Sequence, residues 1–288
     1  MRPILLELPL WGGATLAFPA YGTFLTIGFL AGFLVGRRRA EAIGLESRDV
    51  FNFGYLAVIS GVVGSHLLHV ALHPGLYFDG SGGGLWRALA FWRGGMVFYG
   101  GLAGAMLALW FYARHKGVPV LDLMDFTAPL AAIGLAVTRG GCFFNGCCYG
   151  RPSDVAWAVS FPPGSSAQRA QWRAGAVEVD ASSLPVHPTQ LYELVAALAM
   201  FGILWAAFPY RRFRGQIVLL FFLLYAPWRF VNETLRADSP PWRPLGYELA
   251  GLTVYQGLSV ALFVAAAGLW VWGARRARAR AERYTAAA

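Results

Sequence analysis

Two stretches of the chain hold residues whose types and spacing suit chemistry on an anion. The first is Thr138 to Arg151, TRGGCFFNGCCYGR, which carries Arg139, Asn145, Gly150, Arg151 and all three cysteines. It closes an apolar run and reads as a non-helical, glycine-rich loop. Backbone polar groups cost several kcal/mol each in lipid unless something satisfies them, so such a loop should line a polar pocket, with Arg139 facing a lipid phosphate. The second stretch sets Tyr225, Arg229, Glu233 and Arg236 at i, i+4, i+8 and i+11, on one face of a helix. A charge at the bilayer centre costs about 2.5–3.5 kcal/mol on insertion scales, so the stripe should face a polar cavity. Arg139 reads as unpaired, which leaves two or three guanidiniums with one carboxylate. That excess of positive charge fits an anion, and arginine holds phosphate through a planar fork. The plainer alternative is a structural Arg229–Glu233 pair, with Arg236 reaching to the interface.

Other groups are weaker signals. Tyr99 sits among paired glycines in RGGMVFYGG (Arg93 to Gly101), where glycine admits a close backbone or a ligand. Tyr21-Gly22 is a similar pair. HPTQLYE (His187 to Glu193) puts His187, Gln190 and Glu193 at membrane depth behind a helix-starting Pro188. His66, His69 and His73 share a helix face, but no carboxylate joins them there, so no metal is expected. The cysteines, Cys142, Cys147 and Cys148, follow C-x4-C-C rather than the C-x2-C of zinc or thioredoxin-type sites. They read as a structural bridge or as small packing residues.

These groups need helices to hold them. The chain has 288 residues, 57% hydrophobic and 14% charged, against about 25% charged in a soluble domain. An all-α polytopic membrane protein follows, as one domain over residues 1–288 with no fixed-period repeat and no cleaved signal peptide. Seven apolar runs are long enough to span, at about 19–36, 51–72, 95–113, 121–140, 189–208, 215–236 and 247–273. Fourteen of the 24 basic residues cluster at 37–39, 48, 114–116, 211–214 and 275–283, all on one face if the N-terminus is outside and the C-terminus cytoplasmic. Residues 152–187, between spans four and five, make a small extracytoplasmic cap whose WAVSF run (Trp157 to Phe161) suggests a short strand. The net charge of +9 comes from arginines beside apolar segments, a pattern of membrane topology and not of nucleic-acid binding.

Taken in order, Tyr21-Gly22, GGMVFYGG, Asp125 to Pro129, TRGGCFFNGCCYGRPS, HPTQLYE and the Tyr225–Arg236 stripe resemble the bacterial phosphatidylglycerol–prolipoprotein diacylglyceryl transferase family across nearly the whole chain. The resemblance implies a multi-pass protein of the bacterial inner (plasma) membrane; from the residues themselves, no cofactor and no metal are expected. Its partners would be phosphatidylglycerol, other membrane lipids and a preprolipoprotein signal peptide. It would move diacylglycerol onto the lipobox cysteine as a thioether and release glycerol phosphate. Arg139 looks like the family's phosphate-holding arginine, and Arg229 like its second required one. Tyr21, Asn145, Gly150, Arg151, Tyr225, Glu233 and Arg236 match positions that bind substrate. Three departures stand out: Tyr99 where the family has histidine, Cys142 for an asparagine, and Cys147 for an acidic residue. Histidine is the natural base for a thiol of pKa about 8.5. Tyrosine is a poorer one, which leaves Tyr99 and His187 both as catalytic candidates. A paralogous phospholipid transferase with another acceptor, or a membrane thiol oxidoreductase using the cysteines, remains the alternative.

Overall fold

The structure is a computed structural model that describes residues 4–9, 15–78, 84–237 and 252–287. It opens with a two-stranded antiparallel hairpin, β1 (Ile4–Pro9) and β2 (Thr15–Pro19). This departs from the all-helical expectation. Neither ILLELP nor TLAFP alternates apolar with polar residues, the pattern that marks a strand in sequence.

Helices follow: α1 (Ala20–Gly36), α2 (Ser47–Leu72), the short α3 (Pro74–Tyr77) and α4 (Gly84–Leu89), α5 (Phe98–Lys116), α6 (Val120–Asn145), α7 (Ser166–Arg173), α8 (Thr189–Ala207), α9 (Gln216–Leu235) and α10 (Val254–Ala287). Each expected span coincides with one long helix, except that residues 247–251 of the last lie outside the described residues. Among the described residues, five helices are long and apolar enough to cross a membrane: α2, α6, α8, α9 and α10. α1 is apolar but has 17 residues, and α5 ends on Arg114, His115 and Lys116. Only 11% of the apolar window of α2 is buried. Outward faces that apolar suit hydrocarbon rather than water.

The chain forms two compact units. In the unit of residues 33–126, α2 packs on α5 through glycine. A Cβ on Gly64 or Gly104 would collide with the facing carbonyls of Gly100 and Ser60. Gly100 and Gly101 of GGMVFYGG therefore admit a helix backbone, the small-residue contact common in membranes. At one end of this pair the buried Asp49 takes Lys116 Nζ at 2.7 Å and the Tyr112 hydroxyl at 2.9 Å. The His66 ring nitrogens meet the carbonyls of Gly95 and Ala88, each at 3.0 Å, and His69 Nδ1 meets the Tyr77 hydroxyl. Two of the three histidines thus tie α2 to Tyr77, Ala88 and Gly95, while His73 Nδ1 meets the His69 carbonyl at the end of that helix.

The other unit holds residues 1–32 and 127–288. Here α1 lies against α6, with Phe24 and Tyr21 over Gly140 and Gly141. A Cβ on either glycine would come within 2.8 Å of Phe24. That contact explains a correction: the glycine-rich stretch stays helical through Asn145, and only Gly146 to Arg151 leaves the helix. The paired glycines serve helix–helix approach rather than chain reversal. Residues 152–187 carry α7, capped by Ser165 Oγ accepting from Gln168 N. Trp157 to Phe161 forms no strand; Val159 makes one isolated bridge, to Val186. A small core of Tyr149, Phe161, Ala167 and Val186, with Phe143 of α6 beside it, holds this segment to the end of α6.

Candidate functional site

The site grows from α6, α8 and α9 of the same unit. Their charged side chains are too costly to leave in lipid, and they turn toward one another. Arg139 of α6 points Nη2 at Glu193 Oε1 of α8, at 3.2 Å. Glu193 is 1% exposed. It also accepts from Asn232 Nδ2 at 3.2 Å and from the Tyr225 hydroxyl at 3.4 Å, both from α9. One turn along α9, Arg229 Nη1 stands 2.6 Å from Glu233 Oε2, close enough for an ion pair though not aligned as a hydrogen bond. Arg236 Nε is 3.9 Å from the same oxygen, and Thr253 Oγ1 donates to Glu233 Oε1 at 3.0 Å. The Tyr255 ring covers the Arg229 guanidinium at 4.9 Å.

Arg139 is therefore paired, contrary to the sequence reading, and the group holds two carboxylates rather than one. The missing member was Glu193, 54 residues away in sequence and invisible to any helical spacing rule. Among the described residues, three guanidiniums against two carboxylates still leave this group a net charge of +1. Arg139 Nε is buried with no acceptor. A buried, unsatisfied guanidinium N–H is costly, and an anion seated there would relieve it. The Tyr225 phenol lies within the electrostatic reach of both Arg139 and Arg229, so the two arginines address one region.

Beside this group lies the turn after α6. Gly146 (φ 70°) and Cys148 (φ 61°) take left-handed backbone, and for cysteine that conformation is rare. Two side chains at the head of α8 hold the turn: Thr189 Oγ1 donates to Cys148 O and Gln190 Nε2 to Cys147 O, both at 2.7 Å. The Asn145 side chain hydrogen-bonds Cys147. Cys148 is held below the ordinary thiol value by hydrogen bonds from Cys142 and Cys147, and then by the Arg236 and Arg139 guanidiniums. Tyr21 shares this neighbourhood, within electrostatic reach of the cysteines and Arg139.

Gly150 and Arg151 are pinned on both sides. Gly150 N donates to His187 O, His187 N to Arg151 O at 3.0 Å, and Arg151 N to Leu235 O at 2.7 Å. A Cβ on Gly150 would lie 2.6 Å from His187 Cβ, so this glycine is required by close approach. The Arg151 side chain is exposed and donates Nε to Arg236 O at 3.3 Å. The His187 imidazole meets the Tyr192 hydroxyl at 3.1 Å, and Trp157 Nε1 donates to that hydroxyl. Tyr99 belongs to the other unit, in the first turn of α5, and is half exposed.

A family model described as prolipoprotein diacylglyceryl transferase matches residues 10–272. The chain belongs to this family. Relatives named phosphatidylglycerol–prolipoprotein diacylglyceryl transferase bear this out along nearly the full length. The protein of Bordetella avium is 35% identical over 267 residues, covering 91% of this chain and 92% of its own. That of Nitratidesulfovibrio vulgaris is 34% identical over 271 residues, 93% of this chain and 92% of its own. That of Legionella pneumophila strain Paris is 32% identical over 263 residues, 89% of this chain and 92% of its own.

Proposed function

We propose that this chain transfers the diacylglyceryl group of phosphatidylglycerol to the lipobox cysteine of a preprolipoprotein, forming a thioether and releasing glycerol phosphate. The observation that carries the reading is the surplus of one positive charge in the buried group, with Arg139 Nε lacking an acceptor. The acceptor thiolate attacks C3 of the glycerol backbone, the C3–O bond breaks, and its electron pair leaves with the phosphate. Arg139 and Arg229 stabilise the charge that builds on that oxygen, where preorganised donors in a dry site act most strongly. Arg236, Tyr225 and Tyr21 surround the headgroup. Glu193 and Glu233 hold the guanidiniums in place, and Asn145, Gly150 and Arg151 shape the wall. His187 is the candidate proton acceptor for the thiol on this unit.

In this reading the enzyme spans the bacterial plasma membrane seven times, with its N-terminus outside and C-terminal arginines in the cytoplasm. Residues 152–187 cap the outer face. The clusters of arginine that follow α1 and α8, and those in the C-terminal turns of α10, support that orientation. Incubating purified protein with phosphatidylglycerol and a lipobox peptide tests the activity. Mass spectrometry should find the diacylglyceryl adduct on the cysteine peptide and none on a serine analogue. Wild-type yield from an Arg139→Ala variant would remove the assignment of the site.

A further inference from the structure

The transferase reading leaves one cluster unused. The Sγ atoms of Cys142, Cys147 and Cys148 all lie within 4.8 Å of one another. Cys142 is on the last turn of α6 and the other two on the turn that follows. Sequence spacing argued against a metal here because C-x4-C-C matches no common ligand pattern. The structure brings the sulfurs together by another route: the left-handed Cys148 backbone folds the turn over, and Thr189 and Gln190 clamp the carbonyls of Cys148 and Cys147.

We infer that Cys142, Cys147 and Cys148 form a binding site for one thiophilic divalent cation of the zinc class, with its fourth position open to an incoming thiolate. Zinc–sulfur bonds are about 2.3 Å, which places three sulfurs of a tetrahedral site about 3.8 Å apart. The free cluster needs to contract by no more than about 1 Å to meet that geometry. A disulfide would join two of the sulfurs and leave the third idle, whereas a metal uses all three. Soft thiolates select such ions over magnesium or calcium. A divalent ion on three thiolates carries a net charge of −1. It would sit within electrostatic reach of Arg139 and Arg236, whose group carries +1.

No fourth histidine, cysteine or carboxylate joins the cluster among the described residues. Structural zinc sites are closed by four protein ligands, and sites that act on a substrate keep one position open. The open position defines the ligand class, and here the inference rests on the transferase reading. The acceptor cysteine binds as R–SH and releases its proton to solvent on coordination. Its sulfur then attacks C3, and the C3–O electron pair departs on glycerol phosphate. A coordinating thiol is deprotonated outright. The cation thus supplies the activation that Tyr99, in the place of the family's histidine, is poorly suited to give.

The test uses reduced full-length protein in lipid nanodiscs, with cobalt(II) as the probe. One equivalent should bind with sulfur-to-cobalt charge-transfer absorption and four-coordinate ligand-field bands, and zinc should displace it. Each single Cys→Ser variant should bind at least about 100-fold more weakly, since even partners beyond the ligands are worth 10- to 100-fold. Zinc should also shield all three thiols of the wild-type protein from alkylation, a readout that needs no variant to fold. A lipobox peptide should shift the cobalt bands, and its cysteine-to-serine analogue should not. Absence of the charge-transfer band, equal alkylation with and without zinc, or a stable disulfide between two of the cysteines overturns the metal site. Bands indifferent to the peptide thiol overturn the open position. If cobalt fails to bind while Arg139→Ala still abolishes transfer, the metal inference alone falls and the transferase reading stands.

Discussion

Arg139 has two partners to serve, and lysine at that position separates them. One N–H, on Nη2, reaches Glu193 at 3.2 Å, while Nε is buried with nothing to donate to. A guanidinium can keep the carboxylate on one edge and offer the other edge to a phosphate oxygen. An ammonium is a single point and holds only one of them at short range. Arg139→Lys should therefore keep most of the ion pair and most of the stability. It should lose one preorganised donor to the departing oxygen, about 100- to 1,000-fold in kcat, or roughly 3–4 kcal/mol. Arg139→Ala removes the same donor and also strands the buried Glu193, costing about 3–5 kcal/mol of stability. Thermal unfolding in nanodiscs and adduct formation under saturating lipid would read the two effects apart. A lysine variant that turns over like wild type, or that unfolds as readily as the alanine variant, would refute the two-edged role.

Further outcomes follow from the same geometry. Gly150→Ala forces a Cβ against His187 and should cost about 1–3 kcal/mol through overpacking, read as a lower unfolding temperature. Glu193→Gln raises the group's net charge from +1 to +2; vesicle co-sedimentation should show tighter retention of anionic headgroup analogues. Gln190→Met removes the donor to Cys147 O and should cost about 1–3 kcal/mol, with faster alkylation of Cys147 and Cys148 as the site-specific signature. Asp49→Ala leaves the Tyr112 hydroxyl and the Glu46 N–H without their acceptor in the other unit and frees the exposed Lys116 to water. It should lower stability by about 1–3 kcal/mol without changing the apparent affinity for phosphatidylglycerol in the transfer assay.

The long helices were legible because apolar runs and terminal arginine clusters are local signals, and the Tyr225–Arg236 stripe was legible because it lies on one helix. What sequence could not supply was pairing across helices. Glu193 stood in HPTQLYE as a polar group at membrane depth, but its choice of Arg139 is made only when α6 and α8 meet. The glycines at 140 and 141 invited the opposite error. Glycine disfavours an isolated helix, yet Phe24 of α1 fills the space over them and α6 continues. The cysteine cluster escaped the spacing rule because a left-handed residue, which no local pattern announced, brings Cys148 back toward Cys142.

The two arginines also differ in when their counter-ions arrive. Arg229 has Glu233 one turn further along its own helix, so its charge is balanced within the segment that carries it. Arg139 depends on a carboxylate 54 residues downstream. At about 5–20 residues per second of synthesis, α6 emerges roughly 3–10 s before its neutralising partner exists. During biogenesis that helix must linger where water or lipid headgroups attend its cation, and it seats itself only once α8 follows.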